Sequence, residues 1–534
     1  MRRILIQLSI FLLIGIIAIN CATRGTPEGG PRDLDSPLIL RQSPENYSTN
    51  FDKKEIKILF DEYIKVKDLK KQLIISPPMD TEPTVTPLGS ASKYIQITIN
   101  DTLDKNTTYA FNFGQSIVDN NEENPYDYYR YVFSTGSYID SLRITGRILD
   151  AENREPDNFV SVMLYEVDST YTDSTFYNKK PKYVTNTLDS LTVFSIDNIK
   201  PGQYKLVALK EENTNYRYDP KSDKIGFHEG FITVPSDSFY VITMFEEALD
   251  FDVKRPKQVA GQKIAFPFEG DYKNTEIRAL GDSLQDLRTR IVKDQKADTL
   301  YYWYKPKVEL DSALFVVKNK AYVDTLVHKF RDIEKDSLII KPISGGSLNF
   351  NEDFKLTGTI PFYNFEESQI NLLDKDSLNV DFTTSFSEIE NIYSISFEKE
   401  EAQKYYLRIL PKAITDFFGN INDTLNYSLS TKSLSDYSNM RVTLKNAVYP
   451  MIVQLVTENA EVKYERYAEK EGVIDFQNLT PGTYYLRAIF DTNGNKKWDS
   501  GNYLKARQPE RISYRPEAID ARAGWDMVEE LILK

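Results

Sequence analysis

Four oxygen-bearing side chains lie close together near the end of the chain. In the segment DTNGNKKWDSGNY, Asp491, Asn493 and Asn495 are spaced two residues apart, and Asp499 follows. Calcium takes about six to eight oxygen ligands, and alternate positions of a loop can supply several of them. The spacing therefore predicts a calcium site in a loop. It is not an EF-hand, because Gly494 stands at the fourth position instead of the sixth and the twelfth position is not Glu.

Two other interpretations of this segment stay open. Two carboxylates that face a cleft can act as an acid and a base, so Asp491 and Asp499 are also candidates for hydrolytic chemistry. Alternatively, Asn493-Gly494 is a strong hairpin signal, and Asp and Asn side chains bind the backbone of turns. The segment is then a polar hairpin tip, with Trp498 packed back on the end of a strand.

The elements before this segment occur twice in the sequence. Residues 194–219 and 474–499 align without a gap, and Glu211 and Asp219 face Asp491 and Asp499. The other matched positions are Asn198, Pro201, Gly202, Tyr204, Leu206 and Ala208, facing Asn478, Pro481, Gly482, Tyr484, Leu486 and Ala488. Pro-Gly favours a tight turn, and the alternating apolar residues after it favour a strand. The oxygen-rich loop therefore belongs to a repeated module.

The shared pattern NLxPGxYxLxA resembles transthyretin-like or carboxypeptidase-regulatory-like modules. The resemblance implies β-sandwiches that act as spacers or binding modules, at residues 141–250 and 438–534. Residues 37–140 resemble a bacterial Ig-like domain of the S-layer-protein type, through the strand IKILFDEYI, the segment LDKNTTYAFNF and the closing YVFSTG. That family implies a sandwich and brings no catalytic residues.

Short alternating runs of apolar residues continue through the rest of the chain. Tyr405 to Ser433 follow the same order of strand, turn and ST-x-S ending as the first module, which predicts a second Ig-like domain at 345–437. Residues 251–344 predict a β-sandwich of unknown family. The fold class predicted is all-β, with tandem Ig-like and transthyretin-like sandwiches: five modules in a linear string.

The N-terminus has the form of an export signal. Arg2 and Arg3 precede an apolar run from Ile4 to Ile19, which is short for a membrane span of about 20 residues. Residues 1–20 resemble a lipoprotein signal of the Bacteroidetes type, although Ala18 and Asn20 depart from the usual lipobox. The resemblance implies that Cys21 carries acyl chains such as palmitate at the outer membrane. The alternative is an uncleaved anchor in which the cysteine is incidental.

Residues 21–36 are rich in Gly and Pro and predict a flexible tether.

Composition narrows the function further. The 534 residues carry a formal net charge of -13, so a nucleic-acid partner is not expected. Cys21 is the single cysteine, and His228 and His328 are the only histidines. Thiolate metal clusters are thus excluded, and neither histidine has neighbours typical of a metal or catalytic motif. We expect no enzymatic activity and no cofactor other than the calcium considered above.

Three functions fit these features. The first is a non-enzymatic outer-membrane lipoprotein that scaffolds a cell-envelope complex, such as outer-membrane β-barrel assembly or secretion machinery. It faces either the cell surface or the periplasm, and the surface is favoured. The second is a cell-surface glycan-binding protein, because the Tyr-rich stretches 125–133 and 301–306 could stack on sugar rings. The third is a purely structural stalk.

Overall fold

The structure is a computed structural model that describes residues 33–188 and 192–533. The predicted signal peptide and Cys21 lie outside the described residues, as does the predicted tether up to residue 32. The regular secondary structure of the described chain is almost entirely β-strand, which confirms the all-β prediction. None of the helices within these two ranges is long and apolar enough to cross a membrane.

The first sandwich packs a sheet ordered β1-β2-β5-β4, with β7 beside β2, on a sheet ordered β3-β6-β8. Its elements are β1 (Ile39–Ser43), β2 (Glu55–Val66), α1 (Leu69–Gln72), β3 (Ile74–Ser76), β4 (Thr84–Thr86), β5 (Ser92–Thr98), β6 (Thr108–Asn112), β7 (Ile117–Asp119) and β8 (Arg130–Ser134). In β2 the alternate residues Ile56, Ile58 and Phe60 face the core, and each is at most 1% exposed.

The second sandwich pairs a sheet ordered β11-β10-β13-β14, with β15 beside β13, with a sheet ordered β12-β9-β16. Its elements are β9 (Leu142–Asp150), β10 (Ser161–Glu166), α2 (Thr175–Asn178), β11 (Tyr183–Asn186), β12 (Val193–Ile199), β13 (Gly202–Lys210), β14 (Lys224–Phe227), β15 (Ile232–Val234) and β16 (Phe239–Met244). Strand β16 runs parallel to β9 at the edge of its sheet.

The third sandwich pairs a sheet ordered β17-β19-β22-β21, with β18 beside β19, with a sheet ordered β20-β23-β24. Its elements are β17 (Asp252–Val253), β18 (Lys257–Ala260), β19 (Lys263–Glu269), β20 (Glu276–Leu280), a 3-10 turn (Asp282–Leu284), β21 (Arg288–Lys293), β22 (Thr299–Lys305), β23 (Ser312–Asn319) and β24 (Tyr322–Lys329).

The fourth sandwich has sheets ordered β25-β26-β30-β29 and β28-β31-β33, with β27 paired to β32. Its elements are β25 (Ile340–Pro342), β26 (Phe354–Gly358), β27 (Phe362–Phe365), a 3-10 turn (Glu367–Gln369), β28 (Ile370–Asp374), β29 (Phe382–Ser387), β30 (Ile392–Phe397), β31 (Lys404–Ile409), β32 (Ile414–Asp416) and β33 (Leu425–Ser430), followed by a 3-10 turn (Leu434–Asp436). This order repeats that of the first sandwich, with the long β2 split into β26 and β27. The predicted boundary at residue 344 is wrong for β25, because β25 pairs with β26.

The fifth sandwich repeats the topology of the second strand for strand. Its sheets are ordered β36-β35-β38-β39, with β40 beside β38, and β37-β34-β41, with β41 parallel to β34. Its elements are β34 (Ser438–Lys445), β35 (Met451–Val456), β36 (Val462–Ala468), β37 (Val473–Leu479), β38 (Gly482–Phe490), β39 (Ile512–Tyr514), β40 (Ile519–Ala521) and β41 (Asp526–Ile532). The duplication read from the sequence therefore has a matching topology.

The sandwiches do not form the linear string that the sequence predicts. Each sandwich contacts the next along the chain, and the fifth also packs on the second, where Tyr503 joins a hydrophobic cluster of the second sandwich. The reason is local, because the long connection between β38 and β39 carries Trp498 and Tyr503, which pack on the second sandwich. Sandwiches two to five thus form a closed circuit.

Candidate functional site

The oxygen-rich segment begins where β38 ends, in the connection that spans residues 491–511. The backbone has positive φ at Gly494 (71°) and Lys496 (63°), and the aligned residues Thr214 (49°) and Tyr216 (57°) share this conformation. A positive φ is unusual for residues other than glycine, so its recurrence at aligned positions marks a conserved local geometry. The loop conformation is therefore a property of the repeated module.

Asp491 organises the first half of the loop. Its side chain is fully buried, and its two carboxylate oxygens accept the N–H groups of Asn495 (3.0 Å) and Lys496 (2.9 Å). In the second sandwich the Glu211 carboxylate accepts the N–H groups of Asn215 (2.7 Å) and Tyr216 (3.0 Å) in the same way. Because the Asp491 side chain is fully buried and both of its oxygens accept backbone N–H groups, this carboxylate does not face a cleft as the hydrolytic interpretation requires.

The other predicted ligands gather around Asp499. The side-chain amides of Asn493 and Asn495 both donate to Oδ2 of Asp499, the latter at 2.7 Å. Glu510, which the sequence analysis did not single out, completes the loop by accepting the N–H of Thr492 (2.7 Å) and of Asp499 (3.2 Å). Glu510 lies well outside the segment, so residue spacing gave no signal for it.

The calcium site stays a prediction. No group of three or more His, Cys, Asp or Glu within residues 33–188 and 192–533 is arranged to hold a metal ion. The hydrogen bonds described above already satisfy the carboxylates of the loop, which favours the interpretation as a polar turn. That network also includes three acidic side chains, Asp491, Asp499 and Glu510, which are the oxygen donors that calcium prefers.

Thermal unfolding of the full chain separates the two interpretations. The turn interpretation predicts the same melting temperature in millimolar calcium and in chelator. A calcium site predicts a higher melting temperature with calcium, because a ligand that binds only the folded state stabilises it. In that case the difference disappears in Asp491→Ala and persists in Asp219→Ala, which alters the loop of the second sandwich.

The second half of the loop docks on the second sandwich. Tyr503 is only 5% exposed, and its ring lies 5.3 Å from the ring of Phe176 and 5.4 Å from that of Phe227. Its hydroxyl is 3.5 Å from that of Tyr171. Such aromatic pairs add stabilisation beyond the area they bury. Tyr503 therefore acts as the anchor of a contact between two sandwiches.

The backbone of the loop also approaches the second sandwich closely beside Tyr503. A Cβ atom on Gly501 would lie 2.5 Å from Cζ of Phe245, so only glycine allows the loop to approach the second sandwich this closely. Ser500 donates a hydrogen bond to the carbonyl of Glu246, and the Tyr503 N–H donates to the carboxylate of Glu247. Aromatic packing and polar bonds thus fix the same segment.

Burial shifts the pKa values of two side chains where the loop packs on the second sandwich. It raises the pKa of the Tyr503 hydroxyl and lowers the pKa of the Lys205 ammonium. The Lys205 ammonium donates to the carbonyls of His228 (2.8 Å) and Gly230 (3.1 Å) and lies 6.0 Å from the centre of the Tyr503 ring. These shifts arise from packing, as expected for a structural contact.

A second patch joins the same two sandwiches. Arg487, 7% exposed, donates to the carbonyl of Glu152 (3.1 Å), and the Tyr514 hydroxyl donates to the same carbonyl (2.5 Å). The guanidinium of Arg154 lies 4.6 Å from the centre of the Tyr485 ring. The contact between the second and fifth sandwiches therefore extends from the loop to strands β38 and β39. We call this contact the clasp; on the fifth sandwich it consists of residues 500–503 together with Tyr485, Arg487 and Tyr514.

Most of the remaining sequence candidates lie in cores, whereas His228 is half-buried and Tyr128 of the stretch 125–133 is 44% exposed. His328 is 1% exposed between Phe315 and Phe330, and burial lowers its pKa to about 4. In the stretch 301–306, Trp303 is only 2% exposed, as are its neighbours Tyr302 and Tyr304, so these rings cannot stack on a sugar. Tyr302 and Tyr304 face the core of the third sandwich, whereas Trp303 lies on the opposite face of β22 and packs with Ile360 and Phe417 of the fourth sandwich.

The fold and the sequence define the class of protein: a tandem array of Ig-like β-sandwiches. Residues 33–135 match the family of bacterial Ig-like domains, so the first sandwich is a domain of that family. The comparison with curated proteins found no match.

Solved structures resemble the chain weakly. The surface layer protein SbsC, domains 1–6, is 12% identical, with 91% of this chain and 67% of that chain covered and a TM-score of 0.17. The Bacteroides ovatus mixed-linkage glucan utilization locus SGBP-B, solved with a mixed-linkage heptasaccharide, is 13% identical, with 70% and 93% covered and a TM-score of 0.19. The Bacillus anthracis TIE protein is 8% identical, with 95% and 76% covered and a TM-score of 0.14. Likeness at these TM-scores carries no argument about function.

Proposed function

We propose that this protein is a non-enzymatic lipoprotein, moored to the outer membrane through Cys21, that serves as a rigid binding subunit of a cell-envelope complex. The observation that supports the proposal most is the clasp, because it closes four sandwiches into one body. A body whose parts are fixed relative to one another presents several surfaces to a partner at set distances, and it loses little conformational freedom on binding.

Exposed strand edges supply candidate partner surfaces. Strands β16 and β41 each lie at the end of a sheet, and each carries an exposed apolar side chain, Phe239 (57%) and Val528 (76%). Partner segments can add to such an edge as a further strand, with backbone hydrogen bonds giving affinity and side-chain contacts giving specificity. The two edges belong to the duplicated sandwiches, so the protein offers two related docking sites.

Co-purification tests this function. The native protein, extracted from envelopes in mild detergent, is expected to bring down one membrane protein in stoichiometric amount. Recovery of the protein alone would contradict the scaffold and favour the stalk. Turnover of envelope polysaccharides by the purified protein would contradict the non-enzymatic assignment.

Replacing Cys21 tests the proposed lipid attachment to the membrane. Each buried methylene adds about 0.8 kcal/mol of membrane affinity, so losing the acyl chains removes nearly all of the attachment. In Cys21→Ser, the fraction of the protein recovered with carbonate-washed membranes is therefore expected to fall more than tenfold. Ser36→Ala, a change in the predicted tether, is the control. Membrane recovery of Cys21→Ser equal to wild type would contradict lipidation and support the uncleaved anchor.

A further inference from the structure

A groove lies at the junction of the third and fourth sandwiches. It encloses about 320 Å³, near the lower end for small-molecule sites, which favour domain interfaces. One wall is the end of β21 with the turn that follows, another is β25 with the end of β26, and the third is the turn at Glu390 and Asn391. The Lys293 N–H donates to the carbonyl of Ile389 (2.7 Å), so the walls from the two sandwiches are fixed relative to each other.

Lysine side chains dominate the charge of this groove. The Lys263 ammonium lies in the wall, 3.2 Å from the Asp336 carboxylate and 4.3 Å from the centre of the Tyr301 ring. Lys296 and Lys341 stand exposed at the rim, and within the described ranges their ammonium groups have neither a hydrogen-bonded nor an ion-paired partner. A protein of net charge -13 thus presents unpaired cations in a concave site.

Polar groups that can bind hydroxyls lie beside these cations. Thr357 pairs with Lys341 across β25 and β26, so the two side chains lie on the same face of the sheet. The Glu390 carboxylate lines the opposite wall and also lacks a partner in the part of the chain that the structure describes. A ligand that carries both negative charge and hydroxyl groups therefore matches the groove better than a bare anion does.

The aromatic residues of the groove argue against recognition by stacking. Trp303 is only 2% exposed, and Lys263 lies 4.8 Å from the centre of its ring. The Tyr301 hydroxyl donates to the carboxylate of Asp294 (3.0 Å), which holds its half-buried ring at the wall. Neither ring offers a free face to a neutral sugar, so charge is the main source of affinity.

From these features we propose that the groove binds an acidic saccharide, with Lys296 and Lys341 on its carboxylate or sulfate groups and with Glu390 and Thr357 on its hydroxyls. This ligand site goes beyond the scaffold function and does not depend on it. The charged contacts lie at an exposed rim, so binding weakens as salt screens them.

Calorimetric titration of the full chain in mild detergent tests the proposal. The probes are a galacturonic acid tetramer, the uncharged galactose tetramer and inorganic phosphate. The acidic tetramer is expected to bind, and Lys296→Ala/Lys341→Ala is expected to weaken binding at least tenfold. Lys470→Ala, which removes an exposed lysine of the fifth sandwich, is the matched control and leaves binding unchanged. Melting temperatures equal to wild type establish that each variant is folded.

Several outcomes would overturn the proposal. They are no binding of the acidic tetramer, equal binding of the neutral tetramer, or phosphate binding as tightly as the acidic tetramer, which would indicate a site for small anions. Unchanged affinity in the double variant would place any binding elsewhere on the protein.

Discussion

Replacing Tyr503 by Ala is expected to release the fifth sandwich from the second. Truncating a buried aromatic side chain costs about 3–5 kcal/mol, and the Tyr503 ring is the centre of the aromatic packing across the clasp. The side chain belongs to a connecting loop and not to the core of the fifth sandwich. The loss is therefore expected to open the circuit while each sandwich stays folded.

Energy transfer between two dyes measures this opening. Cysteines at the exposed positions Lys179 and Lys470, in a Cys21→Ser background, place one dye on the second sandwich and one on the fifth. Transfer is expected to fall in Tyr503→Ala and to stay near wild type in Tyr503→Phe, which keeps the ring and loses only the long contact to the Tyr171 hydroxyl. Tyr406→Ala, at an exposed position of the fourth sandwich, is the control.

A second variant tests the same contact without changing Tyr503. Gly501→Val places a branched side chain against the Phe245 ring, so it is expected to lower energy transfer as Tyr503→Ala does. Transfer in both variants equal to wild type would contradict the role of the clasp.

The second large effect is expected at Asp119 in the first sandwich. Its carboxylate is 1% exposed, and one oxygen accepts the N–H groups of Asn121 and Glu122 at 2.8 Å while the other accepts that of Asn124 at 2.8 Å. Asp119→Ala leaves these donors unpaired, at about 1–3 kcal/mol for each that stays buried. Asp119→Asn keeps one acceptor and is expected to cost less.

Hydrogen exchange read by mass spectrometry is the suitable measurement, because it reports the stability of the first sandwich separately from that of the others. Faster exchange is expected across residues 39–134 in Asp119→Ala, with the third sandwich as the internal control. Equal exchange in the variant and wild type would contradict the role of this carboxylate.

The same carboxylate predicts a pH dependence. Burial raises the pKa of Asp119, but the N–H groups of Asn124, Glu122 and Asn121 lower it by more, so its pKa in the folded protein lies below the ordinary value. Its stabilising contribution is therefore complete above the unfolded-state pKa of about 3.9 and is lost as pH falls through the folded-state pKa. Exchange in the first sandwich is expected to accelerate in that range, and less so in Asp119→Asn.

Local patterns predicted the sheets because alternation along a strand directly reports which face is buried. Ile56 and Ile58 alternate with Lys57, and the gap-free alignment of the two repeats anticipated two modules of one topology. The boundary near residue 344 failed because β25 is short and its pairing partner, β26, follows a loop. No periodicity marks a strand of three residues.

The clasp escaped prediction because it depends on residues far apart in the chain. Tyr503 is an unremarkable aromatic residue after a polar loop, and nothing near it in sequence identifies Phe176 and Phe227 as its partners. Glu510 was missed for the same reason at shorter range. Trp303 shows the opposite error. The aromatic-rich strand suggested rings that stack on sugars, but packing against the fourth sandwich buries this ring.

Small-angle X-ray scattering of the wild-type full chain tests the closed body most directly. A strand of about nine residues spans roughly 30 Å, so five sandwiches end to end would reach about 150 Å or more. The clasp predicts a maximum dimension well below that length and a scattering curve that matches the closed circuit. A maximum dimension near that of the linear string would contradict the closed arrangement on which the scaffold proposal rests.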